Sequence, residues 1–232
     1  MKIFAIGALV CLGLAPVFGG DDFSRSFDVR RDGRLLLGEE VNVGASSTLK
    51  GPARNPSLYQ PNNLMDGDPK TVWAEGEAGP GLGAELVFDI PALGYSSALP
   101  RGATYIKIMN GCAISPKLYR ENNRVKELAV TLYVGVDLGT DDEYRTEYAL
   151  KEYKRFELAL ADSMEFQKFE LGVDFDDSKA FWRQARAEFK AQGLAIDLGF
   201  EYGRYVFASL AIKSVYKGTK YDDTCLSEIA FE

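Results

Sequence analysis

Alternation of apolar and polar residues runs through many short stretches of the chain from about residue 39 onward. This two-residue period places the apolar side chains of an extended strand on one face. Further extended segments are predicted at residues 105–109, 155–160 and 165–171, with a turn at Asp162 and Ser163 between the last two. Many short strands with Gly-, Pro- and Asn-rich connections predict an all-β fold, an antiparallel sandwich or barrel. The clearest alternating faces are Leu86, Phe88 and Ile90; Leu128, Val130, Leu132 and Val134; and Val206, Ala208, Leu210 and Ile212.

One segment late in the chain follows a helical period instead. Asp177 or Ser178 can cap the start of this helix, and Gly193 supplies its stop. Trp182 lies beside the apolar stripe, so we expect it to pack the helix on the sandwich; a ligand role is the alternative. The stripe consists of three apolar residues at four-residue spacing: Phe181, Ala185 and Phe189.

The first residues have the order of a secretory signal. A cation at Lys2 is followed by an apolar run over residues 3–14 and then by Pro16 and small residues. We expect residues 1–19 to be a signal peptide that is cleaved near Gly19, which implies a secreted or periplasmic protein. The alternative is an N-terminal membrane anchor, although the apolar run is short for a bilayer span.

The remainder of the chain is predicted to be a linker followed by one domain. Residues 20–38 are rich in charge and show little periodicity, which is typical of a linker, and the domain then covers residues 39–232. No other stretch of about 20 apolar residues occurs in the sequence, so no membrane span is expected in the mature chain.

The composition excludes several classes of function. The chain contains no histidine, so neither Ser-His-Asp nor Cys-His catalysis nor a His-ligated metal is available. Its 34 acidic residues outnumber its 27 lysines and arginines, giving a net charge of -7, which argues against nucleic acid as a partner. Two carboxylates can hydrolyse a glycosidic bond without histidine, but no spacing identifies such a pair. We therefore expect a protein that is not an enzyme.

Two cysteines, Cys112 and Cys225, remain once the predicted signal peptide is removed. A pair that lies far apart in an exported chain is consistent with a disulfide bond. The alternative is two separate buried thiols, because free cysteine behaves as a small apolar residue. The two arrangements have different consequences, since a bond would hold the loops around these residues side by side.

A turn with two carboxylates is formed by Asp66, Gly67 and Asp68, and Thr71 follows three residues later. Carboxylate, hydroxyl and carbonyl oxygens can converge there, and calcium prefers a shell made only of oxygens. The same spacing also occurs in ordinary Asp-Gly turns. Asp66, Asp68 and Thr71 are therefore candidate calcium ligands.

Two loops combine aromatic, amide and charged residues in a way that suits a polyhydroxylated ligand. An aromatic ring can stack on the C–H face of a sugar while amides and charged groups bond its hydroxyls. The alternative is that the loops, at residues 110–125 and 214–231, are held together by their own side-chain hydrogen bonds. The candidate ligand-binding residues are Lys117, Tyr119, Asn122, Asn123 and Arg124 in the first loop and Tyr216, Lys220, Tyr221 and Asp222 in the second.

These two loops, the turn at Asp66, residues 155–171 and the Gly-rich run at 75–83 together resemble the NADase-type glycan-binding domain. That family is a discoidin-like member of the galactose-binding jelly-roll superfamily. The resemblance covers about residues 41–231 and is most specific in the two loops. It implies an eight-stranded antiparallel jelly-roll sandwich, in which residues 173–203 with their helix look like an insertion at one end.

The resemblance also implies a function and a metal. The function is a non-catalytic, exported carbohydrate-binding module that recognises a glycan through loops at one end of the jelly roll. The alternative is a protein-protein interaction or adhesion module of the cell envelope with the same fold. A structural calcium is implied beside the Asp66 turn, closed by a glutamate near the C-terminus, here Glu228.

Overall fold

The computed structural model describes residues 27–30, 34–38, 43–90, 103–140, 145–194 and 205–232. The signal peptide predicted at residues 1–19 lies outside these ranges. Neither of the α-helices described is both long and apolar enough to cross a bilayer. The strands within these ranges are β1 (Phe27–Arg30), β2 (Arg34–Gly38), β3 (Val43–Ala45), β4 (Trp73–Ala74), β5 (Glu85–Ile90), β6 (Tyr105–Asn110), β7 (Asn123–Thr140), β8 (Arg145–Ala159), β9 (Gln167–Glu170), β10 (Tyr205–Tyr216) and β11 (Thr224–Phe231). The α-helices are α1 (Pro116–Glu121) and α2 (Phe175–Ala191), and a 3-10 helix covers Pro61–Leu64.

The larger layer is an antiparallel sheet. Its described strands follow the order β1-β2-β8-β7-β10-β5-β3. Leu210 of β10 lies opposite Leu86 of β5 on one side and opposite Val130 of β7 on the other. Because successive residues of a strand alternate between faces, this register aligns the three predicted apolar faces into one surface. The strands predicted from those faces are confirmed.

The second layer is built around β11. This strand pairs antiparallel with β4 and β6, and β9 continues the layer beyond β6. Its first two residues also pair in parallel with the first two residues of β7, which joins the layers at one corner. The core between the layers takes side chains from both and includes the buried Trp73, Phe88, Ile108, Leu128 and Ile229. The prediction of an all-β antiparallel sandwich with one inserted helix is confirmed.

Part of the linker predicted at residues 20–38 is regular structure instead. β1 pairs antiparallel with β2, and β2 adds to the edge of β8 with Leu35 opposite Tyr148. Leu35 is fully buried in a small apolar cluster with Val87, Tyr148 and Phe207. The physical reason is that β8 is longer than predicted. It begins ten residues before the predicted segment 155–160, and its additional residues are the ones that pair with β2. Its edge offers backbone hydrogen-bonding groups that β2 satisfies.

The helix α2 packs against the second half of β7 and the part of β8 that pairs with it. Trp182 is buried, and its indole N–H donates to the carbonyl oxygen of Gly135 at 3.0 Å, so its packing role is confirmed. Gly193 follows the helix with a φ of 74°, as a C-terminal stop requires. The cap predicted at Asp177 or Ser178 is wrong, because the carboxylate of Asp174 accepts the free backbone N–H groups one turn earlier.

Candidate functional site

Several connections between strands meet at one end of the sandwich. The strand register brings the ends of β6 and β10 beside the starts of β7 and β11, and the end of β8 beside the start of β7. The end of β3 lies beside the start of β5 at the same end. We call these connections the loop end: residues 46–60, 75–83, 111–122, 160–166 and 217–223.

The first of the two predicted binding loops contains the short helix α1, which the sequence pattern did not predict. Ser115 begins the helix, and its hydroxyl accepts the backbone N–H of Leu118 at 3.2 Å. Pro116 occupies the first turn, where no backbone N–H is needed. At the other end the side-chain amide of Asn122 donates to the carbonyl oxygen of Leu118 at 2.9 Å. Asn122 is buried and caps this helix.

Tyr119 and Arg124 form a buried cluster with Asp162. Tyr119 is only 7% exposed, and its hydroxyl donates to Asp162 Oδ1 at 2.8 Å. The Arg124 guanidinium donates twice to the same carboxylate, at 2.7 and 3.0 Å. Burial, and then the hydrogen bond to Asp162, raise the pKa of the Tyr119 hydroxyl, while the hydrogen bond from Arg124 lowers the pKa of Asp162. The ring of Tyr119 is therefore not the open stacking surface that was predicted.

Arg124 and Asn123 also tie the two predicted loops together. Arg124 donates from Nη1 to the carbonyl oxygens of Asn122 at 3.1 Å and of Lys217 at 3.0 Å. The amide of Asn123 donates to the carbonyl oxygen of Asp222 and accepts the backbone N–H of Gly218 at 2.7 Å. In the structure the loops are thus held together by their own side chains, which is the alternative to ligand binding. The residues concerned are Tyr119, Asn122, Asn123 and Arg124.

The remaining predicted residues lie nearer the surface of the loop end. Tyr221 is 38% exposed, and the Lys220 ammonium lies 4.6 Å from the centre of its ring. Lys117 and Asp222 are also exposed, and Asp222 forms an ion pair with Lys217. Tyr216 is half-buried and donates from its hydroxyl to the carbonyl oxygen of Leu160 at 3.0 Å. A ligand at this end would therefore first meet Tyr221 and the charged residues around it.

Two further residues, Tyr59 and Asp223, also lie at the loop end, and the sequence pattern did not predict them. Tyr59 is half-buried, and its pKa is raised by burial and by nearby groups that include Asp223 and Tyr221. Burial raises the pKa of Asp223 as well. Tyr59 lies in a polar stretch with no motif, more than 160 residues before Asp223. Only the folded chain packs Tyr59 against the cluster that contains Cys225, two residues from Asp223.

The Gly-rich run is held in place by a buried carboxylate. Glu75 is fully buried, and its side chain accepts the backbone N–H of Glu77 at 2.7 Å and that of Thr224 at 3.2 Å. Gly81 has a φ of +62°, and a Cβ there would lie 2.3 Å from Glu75 Cδ. Glycine is required at this position because the loop closes directly over the carboxylate. Burial raises the pKa of Glu75.

Cys112 and Cys225 lie side by side beneath the loop end. Both are buried free thiols, in one apolar cluster against which Tyr59 and Leu118 pack. A hydrogen bond from Cys225 lowers the pKa of Cys112, and the same bond and burial raise the pKa of Cys225. The predicted disulfide bond is therefore not formed in this structure, although the two residues are neighbours. The structure therefore has the two buried, unbonded thiols of the alternative interpretation, which lie next to each other.

The turn that contains Asp66 and Asp68, before β4, is held together by hydrogen bonds among its own polar groups. Thr71 Oγ1 lies 2.9 Å from Asp66 Oδ2 and 2.8 Å from the carbonyl oxygen of Asp68. The backbone N–H of Asp68 donates to Asp66 Oδ1 at 2.8 Å. These contacts bring two side-chain oxygens and a carbonyl oxygen to one side of the turn.

Glu228 of β11 reaches the same turn. It is buried, and burial and the neighbouring Asp66 carboxylate raise its pKa to about 7. Its Oε1 is enclosed without a hydrogen-bond partner, so one oxygen is free for a further contact. No three His, Cys, Asp or Glu side chains of the described residues are grouped as a metal site by themselves. A hard cation here would therefore also need Thr71 and a carbonyl oxygen, and this all-oxygen set suits calcium.

Comparison with protein families decides the class of this sandwich. The family model described as the NAD glycohydrolase translocation F5/8 type C domain matches residues 38–232. The chain belongs to this family. An F5/8 type C domain is a discoidin-like, galactose-binding-like jelly roll, so both the suspected resemblance and the predicted fold class are confirmed. The NADase translocation F5/8 type C domain is a non-catalytic module, and the chain described here is one such module.

Several solved structures are similar to this F5/8 type C domain at low sequence identity. One is the arabinofuranosyltransferase AftD from Mycobacteria, with 13% identity over 85% of this chain and 11% of that chain, at a TM-score of 0.41. Another is the family 32 CBM of NanJ from C. perfringens in complex with galactose, with 11% identity, 82% and 90% coverage and a TM-score of 0.34. A third is the Streptococcus pneumoniae beta-galactosidase BgaA, with 9% identity, 84% and 92% coverage and a TM-score of 0.33. This chain thus spans a small part of the transferase. No curated protein matches the sequence.

Proposed function

We propose that this domain is a non-catalytic carbohydrate-binding module that recognises a glycan through the loop end. The proposal is supported by Tyr221, which is 38% exposed at this end, and by the exposed carboxylate of Asp222 next to it in the chain. An aromatic face packs against the C–H side of a sugar ring, and a carboxylate accepts hydrogen bonds from its hydroxyls. The bonds of Arg124 and Glu75 hold the surrounding loops in place, which lowers the entropy that binding must remove.

The first experiment compares saccharide binding by wild type and by two tyrosine variants. We expect Tyr221→Ala to weaken binding at least about tenfold, because it removes the exposed stacking surface. Tyr105→Ala is the matched control: Tyr105 is 37% exposed but begins β6, away from the loop end. Titration calorimetry or NMR titration against a saccharide panel measures both affinities, and thermal melting checks that both variants are folded.

Two results would count against this proposal. One is the absence of binding across a broad glycan array, and the other is unchanged affinity in Tyr221→Ala. Unchanged affinity would place the sugar site away from Tyr221, whereas the absence of glycan binding would leave the alternative, a protein-protein interaction or adhesion module of the cell envelope. Capture of a partner from the envelope that survives glycosidase treatment would then favour that alternative.

We also propose that calcium stabilises the domain at the Asp66 turn. Asp66, Asp68, Thr71 and Glu228 would hold the ion, which would tie the turn before β4 to strand β11. Binding to the folded state alone raises the melting temperature by mass action. Calcium is therefore expected to raise the melting temperature of wild type but not of Asp66→Ala, with Asp176→Ala on α2 as the control. Identical melting with calcium and with chelator would remove the site.

A third proposal concerns export and the cysteine pair. The order of charged, apolar and small residues over 1–19 supports cleavage of a signal peptide and release to the outside of the cell or the periplasm. In that oxidising environment, Cys112 and Cys225 would become bonded. N-terminal sequencing of the mature protein tests the cleavage near Gly19. A mature protein that keeps Met1 would contradict it.

A further inference from the structure

The two predicted binding loops carry exposed cations at the loop end, beside the carboxylates of Glu121, Asp222 and Asp223. Four exposed cations lie on two neighbouring segments, whereas the net charge of the chain is -7. Lys117 is 77% exposed along its side chain, and Lys217 is 66% exposed. The four cations are Lys117 and Arg120 on α1 and Lys217 and Lys220 between β10 and β11.

Backbone hydrogen bonds fix these two segments against each other. The carbonyl oxygen of Arg120 accepts the backbone N–H of Thr219 at 3.0 Å and its hydroxyl at 3.2 Å. The carbonyl oxygen of Glu121 accepts the backbone N–H groups of Lys220 at 3.1 Å and Tyr221 at 2.8 Å. The final residues of α1 therefore lie directly beside the residues that carry the exposed ring. Arg120, Lys220 and Tyr221 occupy one continuous strip of surface.

Not all of this charge is neutralised inside the protein. Lys217 pairs with Asp222, and Lys117 lies 3.9 Å from Glu121. Within the part of the chain that the structure describes, neither Arg120 nor Lys220 has a carboxylate at ion-pair distance. The Lys220 ammonium instead lies 4.6 Å from the centre of the Tyr221 ring. Two cations beside one aromatic face thus remain available to a ligand.

We propose that the saccharide bound at the loop end is anionic, a uronic acid, a sialic acid or a sulfated sugar. This inference rests on the proposed carbohydrate-binding function and names the substrate class of that site. The sugar ring would stack on Tyr221 while its carboxylate or sulfate accepts hydrogen bonds from Arg120 and Lys220. A guanidinium presents paired N–H donors that match the two oxygens of such a group, and a charge-assisted bond is stronger than a neutral one.

The test uses matched sugars that share the same ring and differ at C6, where one member of each pair carries a charged group. Galactose is compared with galacturonic acid and galactose 6-sulfate, and glucose with glucuronic acid, by NMR titration of the full chain. We expect about tenfold tighter binding of the charged member of a pair, as one charge-assisted bond provides. The preference should shrink between about 0.01 M and about 1 M salt, because the Debye length falls from about 30 Å to about 3 Å.

Variants separate the charge from the stacking surface. Arg120→Gln and Lys220→Gln are each expected to remove most of the preference for the charged sugar, measured as the ratio of the affinities for the charged and the neutral member of a pair. Arg155→Gln is the control, since it removes a guanidinium that is 62% exposed on β8. Retention of the full preference in both loop-end variants would overturn the inference.

The remaining outcomes distinguish this inference from the function on which it rests. Binding of galactose or glucose without any gain for a charged partner leaves the proposed function intact and overturns the anionic class. A gain for only the carboxylated or only the sulfated sugar supports the inference and narrows the class. If inorganic sulfate competes as well as a charged sugar, the site takes small anions and the saccharide class is wrong. If no sugar of either kind binds, the proposed function itself fails.

Discussion

Tyr119 and Tyr221 illustrate how the surroundings decide the role of a residue. Both were predicted as stacking surfaces, since each lies among amides and charged residues in a loop. Tyr119 instead meets Asp162, whose carboxylate also holds Arg124, so its ring is enclosed. The ring of Tyr221 lies beside the Lys220 ammonium and remains partly exposed. The difference depends on a residue 43 positions away from Tyr119, which no local pattern contains.

A buried carboxylate on β5 allows a prediction about pH. Asp89 Oδ1 is enclosed without a hydrogen-bond partner, and burial raises the pKa of Asp89 from 3.8 to about 7. Between those pH values the folded state binds more protons than the unfolded state, so this residue lowers the free energy of unfolding as pH rises. Asp89→Asn should remove that loss and be more stable than wild type above about pH 7, by roughly 1–3 kcal/mol.

Urea denaturation of wild type and Asp89→Asn at a series of pH values measures this difference. The two proteins should be closest in stability below about pH 3, where Asp89 of wild type is protonated in both states, and should separate as pH rises. Glu170→Gln, which changes an exposed carboxyl on β9, is the control and should follow wild type. A constant difference between Asp89→Asn and wild type across the pH range would contradict the prediction.

The two α-helices show that the first residue of a helix is harder to predict from the sequence than the apolar stripe along its length. The apolar stripe of α2 was predictable from its four-residue spacing, and Gly193 from its place after the stripe. The first residue was not, because acidic residues occur at three close positions, Asp174, Asp176 and Asp177, and only the folded backbone selects Asp174. For α1 the stripe is too short to detect, and Ser115 and Pro116 are its only local signal.

The cap of α2 can be tested directly. Asp174→Ala removes the acceptor of two backbone N–H groups, at 2.8 and 2.9 Å, and should lower the free energy of unfolding by about 1 kcal/mol. Asp177→Ala is the matched control and should cost less, since it loses only a charge in the first turn. Chemical denaturation measures both. A larger loss in Asp177→Ala than in Asp174→Ala would show that the helix begins later.

The whole molecule joins residues that are far apart in the chain, and the cysteine pair is the clearest case. Cys112 follows β6 and Cys225 lies on β11, and the pairing of those strands brings the thiols together. A bond between them would close a loop of more than about 100 residues and restrict the unfolded chain, which contributes about 4 kcal/mol in the chain-entropy model. The loops around Tyr59 and Tyr221 lie over this pair.

Oxidation is therefore expected to raise the melting temperature of the whole domain. Thiol titration under denaturing conditions should find no free thiol in protein recovered from outside the cell. Addition of a reductant should then lower the melting temperature of wild type, whereas Cys112→Ala should melt at the same temperature with and without reductant. Two titratable thiols in the exported protein would contradict the proposed bond.

The local patterns of the sequence determined β5, β7, β10 and α2, because a period of two or of four residues states which side chains share a face. They also pointed to Asp66, Asp68 and Thr71 as a turn whose oxygens converge. Tertiary structure alone decided that the Leu35 segment is an edge strand and that Arg124 is a buried residue whose hydrogen bonds hold two loops together. It also decided that Tyr59 lies at the same end of the sandwich as Tyr221. Each of those roles depends on partners from distant segments, and burial is set by how the layers and loops pack rather than by the identity of the residue itself.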